Sequence, residues 1–281
     1  ARADSRRQAA ARGSASTLGL GGAVGYTAEQ IRDIEDKFDE YRSGLIDLQF
    51  NLIREAEKDP NGLASEHLLH GAGRRIVVMR RALERIFEIF PLGVEKPLPL
   101  DLVSDVQINL HAFVVNLYGV FENFAWAFVH HHGLLESFGD RKKVSMFGKH
   151  LAKHLPRRIT DFLEDEQMQK WRRDYLVNYR DALAHRIPLY VPPAMFTDSD
   201  ADKHRELEKK RIEAWSAKDV KEAIRIHDEQ MSLGSPSLVF LHSFADDGPS
   251  VPVYIHPQML CDAVTVTSFA EVFLKNWRGL A

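Results

Sequence analysis

The sequence lacks most of the features that mark metal, cofactor and membrane proteins. Its 281 residues contain one cysteine, Cys261, which excludes an intrachain disulfide and a cysteine-based zinc site and fits a reducing cytoplasm. No glycine-rich phosphate loop, nucleophile elbow or internal repeat is present. No apolar run reaches membrane-spanning length, because Glu122 and Asn123 interrupt the nearest one, at residues 112–129. We therefore expect a cytoplasmic protein with no cofactor, no metal ion and no membrane partner.

The charge balance is that of an ordinary globular protein. Hydrophobic residues make up 44% of the chain and charged residues 27%, which is enough apolar content for a sizeable core. The formal net charge of −3 argues against a generic nucleic-acid coat but leaves room for a local basic cleft. The sequence also shows no obvious aromatic motif for stacking RNA bases.

Residues 1–26 differ in composition from the rest and are rich in alanine, arginine, serine and glycine. Their only acid is Asp4, against four arginines, which are Arg2, Arg6, Arg7 and Arg12. We expect a flexible basic arm. The alternative is an arm whose arginines contact RNA phosphates.

Apolar residues at three- and four-residue spacing predict an all-α helical bundle in residues 27–193. Thr27 and Gln30 form a capping-box pattern at the start of the first helix. The Asp-Pro-Asn-Gly stretch at residues 59–62 predicts a turn, and Ser65 is expected to cap the second helix. Bundle helices are predicted at residues 27–58, 65–90 and 102–132, with a further helix that starts before residue 171 and ends near residue 185.

Residues 194–281 are expected to pack on the same domain. They begin with a highly charged helix from about residue 197 to residue 230, which is broken near Ser216 into a helical hairpin. Strand patterns flank the Asp-Asp-Gly-Pro turn of residues 246–249 and predict a small β-hairpin, which must pack on the helices to be stable. The strands are predicted at residues 237–244 and 251–255, and a final helix at residues 257–277.

The most informative stretch is residues 171–193, which is typical of the end of an amphipathic helix followed by a proline-rich exit. Pro188 disfavours helical geometry at the preceding residue, so the helix is expected to end near His185. Arg180 and His185 are five residues apart and diverge by roughly 140° on a regular helix. A second copy of the chain across a two-fold axis would place two such pairs around one cleft.

The segment from Arg180 through Asp181 to His185 resembles the Arg-x4-His motif of HEPN-domain proteins, which usually have a polar residue after the arginine. HEPN proteins are all-α domains that commonly dimerise through the motif helices, and many are metal-independent ribonucleases of toxin–antitoxin, phage-defence and RNA-processing systems. The resemblance covers roughly residues 102–193. It implies Arg180 and His185 as catalytic residues, Asp181 as their polar neighbour, RNA as substrate and a homodimer.

The exit from the motif extends the resemblance and also departs from it. Residues 185–193, together with residues 253–260, are similar to a group of uncharacterised bacterial proteins related to the HEPN fold. HEPN toxins that are controlled by adenylylation carry a tyrosine two residues after the histidine. Ile187 occupies that position here, so control of that kind is not implied. The sequence does not identify an antitoxin or other regulatory partner.

Two further polar residues are expected to orient the motif. Glu122 interrupts an apolar helix, and a buried carboxylate needs a partner, so we expect it to pair with Arg180. The alternative is that Glu122 points to solvent or to an interface. Asn178 lies within one turn of the motif and, like Asp181, is a candidate for orienting its side chains. If the motif is only structural, Arg180 pairs with Asp174 or Glu122 and His185 caps the helix.

Two clusters of basic and histidine residues admit competing interpretations. Three consecutive histidines at residues 130–132 point about 100° apart on a helix and do not converge on one metal ion. His150 and His154 have the spacing of a zinc-ligand pair but are surrounded by basic rather than acidic residues. We take that basic cluster as a candidate RNA-backbone patch, with a solvated surface as the alternative. Its residues are Lys149, Lys153, Arg157 and Arg158.

Three function classes follow from these patterns. The first is a metal-independent HEPN-like endoribonuclease acting in stress or phage defence, in which His185 transfers protons and Arg180 holds the scissile phosphate. The second is a non-catalytic HEPN-like module that binds RNA or a nucleotide. The third is a helical dimer in which the motif is structural.

Overall fold

The computed structural model describes residues 25–243 and 250–281. The predicted basic arm therefore lies almost entirely outside the described residues, as does the predicted turn at residues 246–249. The fold is all-α with one small β-hairpin and a long final helix, as the sequence predicts.

Helix α1 spans Ala28–Glu57 and begins with the predicted capping box. The Thr27 hydroxyl accepts a hydrogen bond from the Gln30 backbone N–H at 3.2 Å, and the Gln30 side chain accepts one from the Thr27 N–H at 2.8 Å. These bonds satisfy two of the N–H groups that every helix start leaves without intrahelical partners.

The second helical region begins earlier than predicted, at Asn61 rather than Ser65. The Asn61 side chain accepts hydrogen bonds from the next free N–H groups, those of Leu63 and Ala64. The Ser65 hydroxyl instead donates to the Ala56 carbonyl at 2.7 Å, so the prediction of a Ser65 cap is wrong. The region consists of α2 (Gly62–Glu66), a π-helical segment (His67–Gly73) and α3 (Arg74–Ile89).

Helix α4, Leu100–His131, is the centre of the bundle. It packs against α2, the His67–Gly73 segment and α3, and its buried side chains include Phe113, Phe121, Phe124 and Phe128. Among the described residues, α4 is the one helix long and apolar enough to cross a membrane by length and composition. However, 56% of its most apolar window is buried inside the protein, as in the core helix of a bundle.

The remaining elements follow α4 along the chain. They are α5 (Leu135–Phe138), a 3₁₀ turn (Arg141–Lys143), α6 (Lys149–Ala152), α7 (Arg157–Glu164), α8 (Glu166–Trp171), a π-helical segment (Arg172–Leu176), α9 (Val177–His185), α10 (Asp198–Ser216), α11 (Val220–Met231), β1 (Val239–Ser243), β2 (Ser250–Tyr254) and α12 (Ile255–Asn276). The predicted break of the charged helix near Ser216 is confirmed, because α10 ends there.

The β-hairpin is tied to the exit from the motif helix. Strands β1 and β2 pair antiparallel, with Val239 opposite Tyr254. On its other edge, β1 pairs with the segment that follows α9. Leu241 and Tyr190 exchange backbone hydrogen bonds of 2.7 and 3.2 Å. The segment after His185 is therefore held by residues about fifty positions later in sequence.

Two hydrophobic clusters stabilise the described part of the chain. The main core is built from α1, α3, α4, α9 and α12, with β1 contributing Phe240. A small separate cluster lies inside the α10–α11 hairpin and consists of Leu207, Ala214, Ala223 and Ile226. Helices α10 and α11 pack chiefly against each other, so the hairpin is an appendage of the main bundle.

Candidate functional site

The helix that carries the Arg-x4-His motif is continuous from Glu166 to His185 but is not regular. Asp165 caps its start by accepting hydrogen bonds from the Gln167 and Met168 N–H groups. Its middle, Arg172–Leu176, is π-helical. It ends at His185, as predicted, because Arg186 is already extended ahead of Pro188.

The π-helical turn changes which side chains share a face. Arg172 and Arg180 are eight residues apart, a spacing that would separate them by about 80° on a regular α-helix. A π-helical turn takes up one additional residue, so the pair acts like residues seven apart, which is about two full turns. Both arginines consequently lie on the side that faces Glu122 of α4, and their charges act on the Glu122 carboxylate.

The Arg180 guanidinium is held by two neighbours. Its central carbon lies 4.5 Å from the centre of the Tyr118 ring, and one terminal nitrogen donates a hydrogen bond to the Tyr118 hydroxyl at 3.3 Å. The other terminal nitrogen forms an ion pair with Asp181 at 2.7 Å. The side chain is still 32% exposed, so the guanidinium is held in place and also accessible to solvent. Asp181 thus contacts the Arg180 guanidinium directly.

Glu122 sits one turn beyond Tyr118 on α4 and is largely buried. Its carboxylate accepts a hydrogen bond from the Ser145 hydroxyl at 2.9 Å, and it forms no ion pair with Arg180, whose ionic partner is Asp181. Burial raises the pKa of Glu122, while Ser145 and the two arginines act in the opposite direction. Glu122 therefore balances the local positive charge without being a direct ligand of Arg180.

Asn178 is turned away from Arg180. Its amide nitrogen donates to the Arg173 carbonyl at 2.9 Å, across the π-helical turn, and its oxygen accepts from Arg186 at 3.5 Å. The side chain therefore stabilises the helix around the motif, and its geometry gives it no contact with either motif side chain.

His185 is exposed at the last position of α9. On the regular α-helix from Val177 it projects roughly 140° from Arg180, so one chain does not bring the two side chains to a common point. The chain that follows is anchored to α4 by the Leu189 carbonyl, 2.8 Å from a His111 ring nitrogen. The helix is further anchored to α12, because the Trp171 indole donates to Asp262 at 2.8 Å.

The histidines at residues 130–132 have three different environments. The ring of His130 packs parallel to Trp126. The His131 Nδ1 lies 2.6 Å from a carboxylate oxygen of buried Asp59, and a His132 ring nitrogen lies 2.8 Å from the Trp277 carbonyl. Within the described ranges, no group of three or more histidine, cysteine or acidic residues is arranged to hold a metal ion.

The basic cluster proposed as an RNA-backbone patch lies elsewhere in the fold. Lys149, Lys153, Arg157 and Arg158 are exposed on α6, at its end and at the start of α7. Arg157 pairs with Asp161 at 2.6 Å. Helix α7 packs on α12 and α8, whereas α9 packs on α4. The structure therefore does not bring this cluster together with the motif.

Sequence reasoning missed Tyr118, Ser145 and Arg172. The spacing of Tyr118 and Glu122, one turn apart in an otherwise apolar helix, is a usable signal for Tyr118. No local signal marks Ser145, which lies in a loop, or Arg172, whose direction depends on the π-helical turn.

No family model, no curated protein and no solved structure matches the chain. The HEPN resemblance therefore rests on residues 180–185 and their surroundings in sequence.

Proposed function

We propose that this protein is a metal-independent endoribonuclease that cleaves RNA through attack of the substrate's own 2′-hydroxyl. The observation that supports the proposal is the arrangement of side chains on the motif helix, residues 166–185. This helix ends in exposed His185, and upstream it presents Arg180 and Arg172 on the face that meets Glu122. Arginine keeps its charge and offers a planar fork to phosphate oxygens, and histidine exchanges protons near neutral pH.

The proposed chemistry uses only protein side chains and RNA. A base takes the proton of the 2′-hydroxyl, the 2′-oxygen bonds to phosphorus, and the bond from phosphorus to the 5′-oxygen breaks. An acid returns a proton to the departing 5′-oxygen. The products are a 2′,3′-cyclic phosphate and a 5′-hydroxyl. Arg180, oriented by Asp181 and Tyr118, is assigned to the scissile phosphate and His185 to proton transfer.

The acid and the base are proposed to come from two chains. Because Arg180 and His185 diverge on α9, a homodimer that pairs two motif helices would supply two histidines to one cleft. Exposed apolar side chains around the motif support such a contact. They are Ile108 and Val115 on α4, and Ile187 and Tyr190 after His185.

The biological setting is proposed from the resemblance alone. A ribonuclease of this kind acts in the cytoplasm in stress or phage defence. Its activity is then held in check by a regulatory protein.

The proposal is tested by RNA cleavage in excess EDTA. Wild-type protein is compared with His185→Ala and Arg180→Ala after all variants are shown to fold. Each substitution is expected to lower the cleavage rate by at least ~10²-fold, because His185→Ala removes a proton-transfer group and Arg180→Ala removes a charged ligand of the phosphate. The 3′ ends of the products are expected to be 2′,3′-cyclic phosphates.

Matched controls separate catalysis from loss of charge or of a histidine. Arg173→Ala removes an exposed arginine of the same helix, and His227→Ala removes an exposed histidine of α11. Both controls should cleave like the wild type. Cleavage that EDTA abolishes, 3′-hydroxyl products, or equal rates in all variants would overturn the proposal.

A non-catalytic RNA- or nucleotide-binding module is the second candidate, and one observation favours it. Arg180 and His185 diverge on α9, so one chain does not bring a phosphate ligand and a proton-transfer group to one point, which suits a site that binds a ligand without cleaving it. This candidate predicts RNA binding without cleavage, and it predicts that Arg180→Ala weakens binding while His185→Ala does not.

A further inference from the structure

Three flat, partly buried rings form a cluster where α4 packs against the His67–Gly73 segment. They belong to His67, on the His67–Gly73 segment, and to Trp126 and His130, one turn apart on α4. Their centres lie 5.4 to 5.7 Å apart, and their planes differ by only 14° to 28°. We call this group the aromatic platform.

The platform is held in place by a polar network beneath it. The Asn123 oxygen accepts a hydrogen bond from Arg75 at 2.8 Å, which turns its amide nitrogen towards the His67 Nδ1 at 3.3 Å. Arg75 also donates to Asn116 at 3.2 Å and passes over Gly119, which leaves room for it. Because the amide nitrogen is a donor, the His67 Nδ1 is an acceptor and the ring is neutral. Burial lowers the pKa of His67 and of His130, which also favours neutral rings.

Basic side chains lie over and beside the platform. The Arg141 guanidinium lies over the Trp126 ring, 5.3 Å from its centre. Arg141 is exposed, and so are Lys142 and Lys143 in the same 3₁₀ turn. Neutral rings, an arginine plane and nearby cations are a combination that binds single-stranded nucleic acid, since bases stack on rings and on guanidinium planes while phosphates contact the cations.

The platform and the motif site share one helix and one loop. Trp126 lies eight residues, or about 12 Å, along α4 from Tyr118, the residue that supports Arg180. The loop after α5 connects them, because Arg141 covers Trp126 while Ser145 binds Glu122. Trp126 and Tyr118 also differ by about 80° around α4, so a strand of a few nucleotides is needed to place a phosphate at Arg180 and a base at Trp126.

We infer that the aromatic platform is a base-stacking subsite for single-stranded RNA, which positions an unpaired nucleotide close to the phosphate at Arg180. The inference rests on the proposed function and narrows its substrate to unpaired RNA. It also assigns Trp126, together with the Arg141 guanidinium that lies over its ring, as the surface on which the base stacks.

The test measures binding separately from cleavage. Affinities are measured in EDTA on a His185→Ala background, for a short oligoadenylate and for an abasic oligomer with the same phosphates. Trp126→Ala is expected to weaken oligoadenylate binding about tenfold, the effect of losing one stacked base. It should have no effect on the abasic oligomer, whose affinity is already low. Trp126→Phe keeps a ring and should bind oligoadenylate almost normally.

Controls exclude general effects of tryptophan or charge removal. Trp215→Ala removes an exposed tryptophan from the α10–α11 hairpin and should bind like the parent. Arg141→Ala, an exposed change that leaves the core untouched, should weaken oligoadenylate binding more than Lys142→Ala, which removes the same charge without the ring contact. Arg141→Ala also keeps the inference testable if Trp126→Ala does not fold.

The outcomes distinguish this inference from the proposed function. Cleavage by the wild type with equal oligoadenylate binding by the Trp126→Ala and Trp215→Ala proteins overturns the platform and leaves the ribonuclease standing. Base-dependent binding that Trp126→Ala removes, without any cleavage by the wild type, supports the platform and overturns the ribonuclease. Equal weakening of oligoadenylate and abasic oligomer by Trp126→Ala also overturns base stacking.

Discussion

The side chains that hold Arg180 and the motif helix in place are distant from them in sequence. Arg180 is supported by Tyr118, 62 residues earlier, and the motif helix is fixed through Trp171 to Asp262, 91 residues later. Asp262 is fully buried and accepts hydrogen bonds from Trp171 and Gln258, both at 2.8 Å. Burial raises the pKa of Asp262 to about 7. A carboxyl group of this kind links global stability to pH near neutrality.

Replacing Asp262 with Asn is expected to change the pH dependence of stability. Between pH ~4 and pH ~7 the folded protein keeps a proton on Asp262 that the unfolded chain releases, so the free energy of unfolding falls as pH rises. Asp262→Asn keeps the oxygen acceptor for Trp171 and cannot ionise. Relative to wild type, the variant should gain roughly 4 kcal/mol between pH ~4 and pH ~8. Urea unfolding across this range measures the gain.

The control for this prediction is Asp161→Asn, which alters a half-exposed carboxylate on α7. A gain between pH ~4 and pH ~8 as large as that of Asp262→Asn would show that the effect does not depend on burial of the carboxyl group. A difference between the Asp262→Asn protein and wild type that stays constant from pH ~4 to pH ~8 would show that Asp262 is ionised in the folded state throughout.

At the scale of elements, regular helices were predictable and the departures from regularity were not. The capping box at Thr27 is a local signal that predicts the start of α1. Pro188 is a local signal that predicts the end of α9. The two π-helical segments have no comparable signal, because each depends on how neighbouring helices pack. The Arg172–Leu176 segment turns Arg172 towards Glu122, and the His67–Gly73 segment carries His67. The positions of these side chains could therefore not be predicted from the sequence.

Two glycines in helix interiors give a matched pair for testing this packing. An alanine methyl at Gly44 in α1 would meet Thr267 of α12 at an ordinary 3.8 Å, whereas at Gly119 in α4 it would collide with the Arg75 guanidinium. Gly44→Ala should therefore raise the free energy of unfolding by about 0.5–1 kcal/mol through helix propensity alone. Gly119→Ala should gain less or lose, because Arg75 must leave Asn116 and Asn123. Equal gains in urea unfolding would contradict the described position of Arg75.

At the scale of the whole molecule, the chain consists of a bundle with an added helical hairpin. The sequence predicted the hairpin from its charge pattern and the break near Ser216. It did not reveal that the hairpin has a small hydrophobic cluster of its own, since Leu207 and Ile226 look like ordinary core residues in sequence. The backbone hydrogen bonds between Met195 and Ser235, both 2.9 Å, bring the two ends of the hairpin together.

Removing the hairpin is expected to leave the bundle folded. If a short glycine-rich turn replaces residues 197–233, the closed Met195–Ser235 bridge should preserve the path of the chain. The midpoint of thermal unfolding should then stay within about 4 °C of wild type, equivalent to about 1 kcal/mol. As a positive control, Phe240→Ala empties a fully buried position of the main core and should cost about 3–5 kcal/mol. A fall after hairpin removal as large as that of the control would show that the two clusters stabilise each other.

The attachment of Tyr190 to β1 also sets an order of events during translation. The motif helix leaves the ribosome well before Leu241, which bonds to Tyr190, and before Asp262, which holds Trp171. Domains fold as their residues emerge, so the end of α9 gains its final supports only when the last part of the described chain is available. For a protein proposed to cut RNA, this order means that the motif helix is translated before the residues that hold it in place.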